Sequence, residues 1–204
     1  AVAFGWKGGI GTSSRKLASD DGGYTVGVRV QSNFGGQLTI AGVPVWKALP
    51  DPAAYARSLQ APPSTGDGSI MIVVATDAPL DAAQLQRLAR RALVGLARTG
   101  SVMSNGSGDY VIAFSTASAN RRDPGVAVQP ARSLAGDAIT PLFQATAEAT
   151  EEAIVNSLFR AQTVHGHRGT AAAMPLQPVL TALDAAGMLQ AQAPRAMVPP
   201  AAPR

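Results

Sequence analysis

The sequence predicts an α/β (α+β) fold in which helices cover a mixed β-sheet, and three features carry that expectation. Val26, Val28 and Val30 alternate with small or polar neighbours, as in a half-buried strand. Two continuous apolar runs, residues 70–76 and 110–116, read as central strands, with a segment of helical period between them. Two further helical segments follow. With 46% hydrophobic and 15% charged residues among 204, wholesale disorder is excluded. A chain of this length buries roughly 70% of its unfolded surface.

In chain order, residues 24–31 form the first strand. Ser32, Asn33, Gly35 and Gly36 then turn and residues 37–40 return, which predicts an antiparallel hairpin. Residues 57–68, with Pro62, Pro63, Gly66 and Gly68, read as an exposed loop. The run 70–76 is expected to be buried on both faces. Asp81 caps a helix to about Thr99, carried by Leu85, Leu88, Ala89, Ala92 and Leu96, and Gly100 ends it in a left-handed conformation. Residues 110–116 make another buried strand. Thr140, as a hydroxyl cap before Pro141, opens a helix through about Val164. Its residues Ile154, Val155, Leu158 and Phe159 face inward, and Glu148, Glu151 and Glu152 enrich the polar side. A last helix covers 176–186 and stops at Gly187. Residues 190–204, nearly all Ala, Gln, Pro and Arg, read as a disordered tail.

Composition narrows the chemistry. Zero cysteine excludes disulfides, thiolate metal sites and cysteine catalysis. No apolar run approaches the length of a membrane span and no signal peptide opens the chain, so no membrane partner is expected, and the compartment stays open. The net charge of +4 comes from dispersed arginines, among them Arg87, Arg90, Arg91 and Arg98 on the first helix. Only ten aromatics exist and none alternates with the Arg pairs, so solvated helix faces are expected and a nucleic-acid partner is not. The chain opens Ala1-Val2-Ala3-Phe4, without an initiator Met and in mid-pattern. It reads as a single-domain fragment or a processed chain.

Four glycine-rich stretches are candidates for a site. Residues 7–15 lack the Lys that a phosphate-cradling loop needs directly before Thr12, where Gly11 stands; a backbone approaching something closely is the plainer reading. His165 and His167 have no third ligand nearby in sequence, and a loop past a helix end explains them without a metal. Gly68 and Ser69 lie between the loop and the apolar run 70–76. A self-cleaving hydrolase exposes a new N-terminus at such a place. Gly68 leaves its carbonyl open to the Ser69 hydroxyl, and cleavage would give Ser69 a free α-amine of pKa roughly 8, a base that needs no histidine. A Gly-Ser turn before a strand is the alternative. Residues 101–110 hold Ser107 and Asp109, two apart, whose side chains share a face in extended backbone, so the carboxylate can polarise the hydroxyl. The alternative there is a hairpin-entry turn.

Together these stretches resemble the L-aminopeptidase/D-esterase family, which includes the β-peptidyl aminopeptidases. The likeness rests on GGIGTSSR, GYTVGV-x-VQSNFG, GDGSIMIVVATDAPL, RTGS-x-x-SNGSGDYVIAFST and EAIVNSLFRAQTV-x-G, in family order from about Lys7 to Pro175. The resemblance implies a four-layer α/β/β/α sandwich similar to N-terminal-nucleophile hydrolases. It implies a precursor that cleaves itself between Gly68 and Ser69, with residues 1–68 ending an α chain and 69–189 forming the core of a β chain. Ser69 would be the nucleophile, Asn33 the oxyanion donor, and Ser107 and Asp109 the activating pair. The implied activity is release of N-terminal amino acids from peptides, amides or esters, with no cofactor and no metal, by a homo-oligomer of αβ units. Family precursors carry a substantial region ahead of the GGIGT motif, including a catalytic-site Tyr. Two other readings stand beside this one: a catalytically incomplete scaffold, and an acyltransferase of similar fold, whose N-terminal residue would be Thr where this chain has Ser69.

Overall fold

Four strands build the central sheet. They are β3 (Gly9–Lys16), β4 (Thr25–Ser32), β5 (Met71–Thr76) and β6 (Tyr110–Ser115), side by side in that order. The first two pairs are antiparallel and β5–β6 is parallel, so the sheet is mixed. The computed structural model describes residues 1–58, 68–167 and 169–189, and every statement below concerns those. A short hairpin, β1 (Val2–Ala3) with β2 (Trp6–Lys7), precedes the sheet, and a second, β7 (Val164–Gly166) with β8 (Gly169–Ala171), follows the long helix. The helices are α1 (Pro52–Ser58), α2 (Ala82–Arg98), α3 (Thr140–Phe159) and α4 (Leu176–Ala185).

Helices α2 and α3 lie on one face of the sheet. Val26, Val28 and Val30 of β4 and Ile72 and Val74 of β5 point into that layer, where Leu88, Ala92 and Leu96 of α2 and Leu142, Ile154 and Leu158 of α3 meet them. Asp81 starts α2 through a capping box: its carboxylate accepts from the Gln84 amide at 2.8 Å, and the Gln84 side chain reaches back to the Asp81 amide. Gly100, at φ 93°, ends it as expected. On the polar side of α3, Glu148 and Glu152 pair with Arg15 of β3. Partial burial pushes the Glu152 carboxyl up, but hydrogen bonds from Arg15, Ser13 and Asn156 and the Arg15 charge outweigh this and hold it below its ordinary value. Arg87 and Arg91 of α2 stack over the Phe143 ring, so two of the four arginines on that helix cover an aromatic.

The opposite face of the sheet is open. Across the strands in register run Ile10, Gln31, Met71 and Tyr110, then Thr12, Arg29, Val73 and Ile112, then Ser14, Gly27, Ala75 and Phe114. Tyr110 and Ile112 are each 65% exposed. Burial of residues 70–76 and 110–116 on both faces is therefore corrected: one face is packed and the other bare. Of the four layers implied by the resemblance, the described residues build one helix layer on one sheet.

Other expectations change as well. The partner of residues 24–31 is β3, not residues 37–40. The 37–40 segment bonds elsewhere, with the Gln37 amide on the Gly100 carbonyl and the Thr39 amide on the Thr99 carbonyl, at the end of α2. The stretch 7–15 is mostly strand. Gly11 lies so close to α3 that an added Cβ would collide with the Ala153 carbonyl and the Ser157 amide, which is the close approach considered for it. Helix α3 ends at Phe159, five residues early, and Ile139 precedes it without a side-chain cap, so Thr140 does not serve as one. Helix α1 was not anticipated. Most of the expected 57–68 loop, and the tail 190–204, lie outside the described residues.

Candidate active site

Three segments converge at one end of the sheet because of its topology. Asn33 follows the last residue of β4, Ser69 precedes β5 by two residues, and Ser107 and Asp109 lead directly into β6. Strand β4 runs antiparallel to β5, and β5 parallel to β6. The exit of the first and the entrances of the other two therefore share an edge. Gly68, Ser69, Asn33, Ser107 and Asp109 are all half-buried there, reachable yet partly withdrawn from water.

The contacts among them are short. The Ser69 Oγ accepts the Gly108 backbone N–H at 2.7 Å. The Ser107 hydroxyl lies 2.6 Å from Asp109 Oδ1 and 3.4 Å from the Gly68 carbonyl oxygen. One hydroxyl carries one proton, so the short contact assigns it to Asp109. The same Oδ1 accepts the Ile70 amide at 3.1 Å, tying the carboxylate to the chain just past Ser69. Asn33 Oδ1 accepts the Val2 amide at 2.8 Å, which turns its Nδ2 toward Gly68. That approach is close: a Cβ at position 68 would overlap both Asn33 Nδ2 and the Asn33 carbonyl oxygen, so only glycine fits. The structure thus brings Asn33, Gly68, Ser69, Ser107 and Asp109 together, with the Ser107 hydroxyl near the Gly68 carbonyl and Asn33 against Gly68.

His165 lies elsewhere, in the β7–β8 hairpin, its Nδ1 2.7 Å from the Thr170 hydroxyl. It sits in a strand and not in a loop past a helix end. Among the described residues, no group of three or more His, Asp or Glu converges on a point where a metal could sit. Sequence reasoning missed the three backbone amides of Val2, Ile70 and Gly108.

The sequence profile described as peptidase family S58 matches residues 1–172. The chain belongs to that family. This chain is 47% identical over 178 residues to the β-peptidyl aminopeptidase BapA of Sphingosinicella microcystinivorans, covering 81% of this chain and 44% of the relative. The corresponding enzyme of Sphingosinicella xenopeptidilytica is 39% identical over 177 residues, covering 43% of its length. The chain therefore spans less than half the length of these curated relatives. In solved structures it is similar to a β-aminopeptidase from a Burkholderia species, with 39% identity, TM-score 0.74, and 91% of this chain against 51% of that one. It is also similar to an L-aminopeptidase D-Ala-esterase/amidase from Ochrobactrum anthropi, with 35% identity, TM-score 0.79, and 93% of this chain against 51% of that one. The latter is described as a prototype of the serine aminopeptidases and a variant of the Ntn hydrolase fold. The mixed α/β architecture described above fits that protein's fold.

Proposed function

We propose that the protein carrying this chain is a self-processing serine aminopeptidase, with Ser69 as its nucleophile after cleavage between Gly68 and Ser69. The observation that carries this reading is the placement of the Ser69 hydroxyl on the Gly108 amide, with the Ser107 hydroxyl 3.4 Å from the Gly68 carbonyl oxygen and Asn33 Nδ2 packed against Gly68. In processing, Ser69 Oγ attacks the Gly68 carbonyl carbon, the peptide C–N bond breaks, and the hydroxyl proton passes to the departing Ser69 nitrogen. Water then hydrolyses the resulting ester. The products are a Gly68 carboxylate, closing an α chain, and a β chain that begins with the free amine of Ser69.

In turnover, Ser69 attacks the carbonyl of a substrate's N-terminal residue. Its own amine, of pKa roughly 8 in the free state, or the Ser107–Asp109 pair takes the hydroxyl proton. The Gly108 N–H stabilises negative charge growing on Oγ, and Asn33 Nδ2 donates to the oxyanion. Water releases the amino acid. The substrate is a peptide, an amino-acid amide or an ester, no cofactor or metal takes part, and the working form is a homo-oligomer of processed αβ units. The test is made in the full-length protein with amino-acid p-nitroanilides. Unblocked substrates turn over and N-acetylated ones do not; equal rates on both would end the aminopeptidase reading.

A second reading, that these 204 residues alone are a catalytically incomplete scaffold, is favoured by the open sheet face with Met71, Tyr110, Ile112 and Phe114 exposed. Bare apolar surface of this kind marks an interface. Expressed alone, the chain would then aggregate or stay inactive on amides that the full-length protein cleaves.

A further inference from the structure

We propose that the backbone amide of Val2 is a positioning group, one that decides which end of the Asn33 side chain faces the acyl carbonyl. The inference rests on the reading of Asn33 as the oxyanion donor. A carboxamide has an accepting end and a donating end of nearly equal size, and only its hydrogen-bond partners distinguish them. Here the Val2 N–H holds Oδ1 at 2.8 Å, so Nδ2 is presented to Gly68. The reversed amide would set NH₂ against the Val2 N–H and oxygen against the place where negative charge develops. Both contacts would be repulsive, so one hydrogen bond selects the productive orientation.

The hairpin geometry leaves this amide free for the task. Strands β1 and β2 join through Phe4 and Gly5, at φ 54° and 81°, the left-handed pair of a two-residue turn. Ladder bonds alternate along an antiparallel pair, so with Ala3 opposite Trp6 beside the turn, the Val2–Lys7 pair points its amides outward. The Gly8 amide returns to the Ala1 carbonyl one step on, and the Lys7 amide goes out to the Ala172 carbonyl. Val2 turns out to Asn33 on the other side. The hairpin is held against this segment a second time: the Phe4 amide donates to the Phe34 carbonyl at 2.8 Å, and their rings meet edge to face at 5.0 Å. Residues 2–4 therefore grip both the side chain of Asn33 and the main chain just after it.

The experiment measures kcat and KM on an unblocked p-nitroanilide in the full-length protein, with thermal stability alongside. Val2→Ala keeps the N–H and is expected to stay within a fewfold of wild type. Val2→Pro removes the N–H and is expected to lower kcat at least ~10-fold with KM little changed. Asn33→Ala is expected to lose about 10²–10³-fold. In the Asn33→Ala background, Val2→Pro is expected to cost no further kcat, because nothing is left to orient; a merely structural role would lower both backgrounds alike. If Asn33→Ala loses activity while Val2→Pro keeps it, or if the two losses multiply, the positioning role is overturned. If Asn33→Ala itself is fully active, the oxyanion reading fails first. Should Val2→Pro fold poorly, replacing the Ala1–Val2 amide by an ester removes the N–H and keeps the side chain: a kcat loss of at least ~10-fold with KM little changed supports the proposal, and wild-type kcat overturns it.

Discussion

Two serine clusters sit at the same end of the sheet, and only one is arranged for chemistry. Ser32 and Ser157 lie 2.6 Å apart, fully buried between β4 and α3. Ser32 Oγ also accepts the Gly9 amide and reaches the Gly9 carbonyl, and Ser157 donates to the Ile154 carbonyl. Every partner is another hydroxyl or a backbone group already committed to the fold. No carboxylate is within that set, and both side chains are buried. Ser69 and Ser107 are half-buried, Asp109 accepts from the Ser107 hydroxyl, and the Gly68 carbonyl oxygen lies 3.4 Å from Ser107 Oγ. The comparison teaches that hydroxyl pairs alone signify little. A carboxylate on one hydroxyl, a backbone amide on the other and a half-buried setting separate a candidate site from a brace.

Substitutions sharpen that contrast in order of size. Ser107→Ala and Asp109→Asn should each cut turnover by about 10²–10⁴-fold, the usual worth of a positioned proton-transfer group, with thermal stability little changed. Near-wild-type kcat in either variant would remove the activating pair from the mechanism. At the buried cluster the losses should be in stability and not in kcat. Gly11→Ala drives a methyl into the α3 backbone and should destabilise by about 1–3 kcal/mol. Ser157→Ala removes a buried hydrogen bond and should cost about 1 kcal/mol. Denaturant titration of each checks this. An unchanged midpoint for Gly11→Ala would mean that β3 and α3 shift apart freely.

The smallest effect concerns Glu152. Its carboxyl is held below its ordinary value of 4.5, so its contribution is present above that pH and is lost as pH falls through the lower folded value. The Arg15–Glu152 pair is largely exposed, so Glu152→Gln should change stability at neutral pH by less than about 1 kcal/mol, and less again at high salt. Stability curves of wild type and Glu152→Gln against pH should converge below pH 4.5. Curves that stay parallel through that range would show that the pair contributes nothing.

Much of this was legible in the sequence, and the failures have physical causes. Strands β4 and β5 and helix α2 carry strong periodicity and a capping box, and they formed where the pattern placed them. Ser69, Ser107 and Asp109 stand out in the sequence because glycine-rich segments run straight into apolar strands, and the structure places them close together. Strand β3 was hidden because Gly9, Gly11, Ser13 and Ser14 read as loop, although glycine at 11 is what lets α3 pack onto the strand. Residues 37–40 look like a hairpin partner, yet their amides bond the carbonyls of Thr99 and Gly100, sixty residues away. A local pattern gives no sign of so distant a partner. The apolar runs 70–76 and 110–116 promised cover on both faces, and sequence alone could not say that the second cover is not among the described residues. Backbone donors such as the Gly108 and Val2 amides carry no residue-type signal at all.

The central claim is that Ser69 cuts the chain at its own N-terminal side, and the intact mass of the full-length precursor tests it most directly. The account predicts that wild-type protein, after incubation, gives two masses that sum to the precursor plus one water, divided between Gly68 and Ser69. It predicts that Ser69→Ala gives a single uncleaved mass, since a methyl group can neither accept the Gly68 acyl group nor attack substrate. A Ser69→Ala preparation that splits at the same bond, or an active wild-type enzyme that never splits, would contradict it.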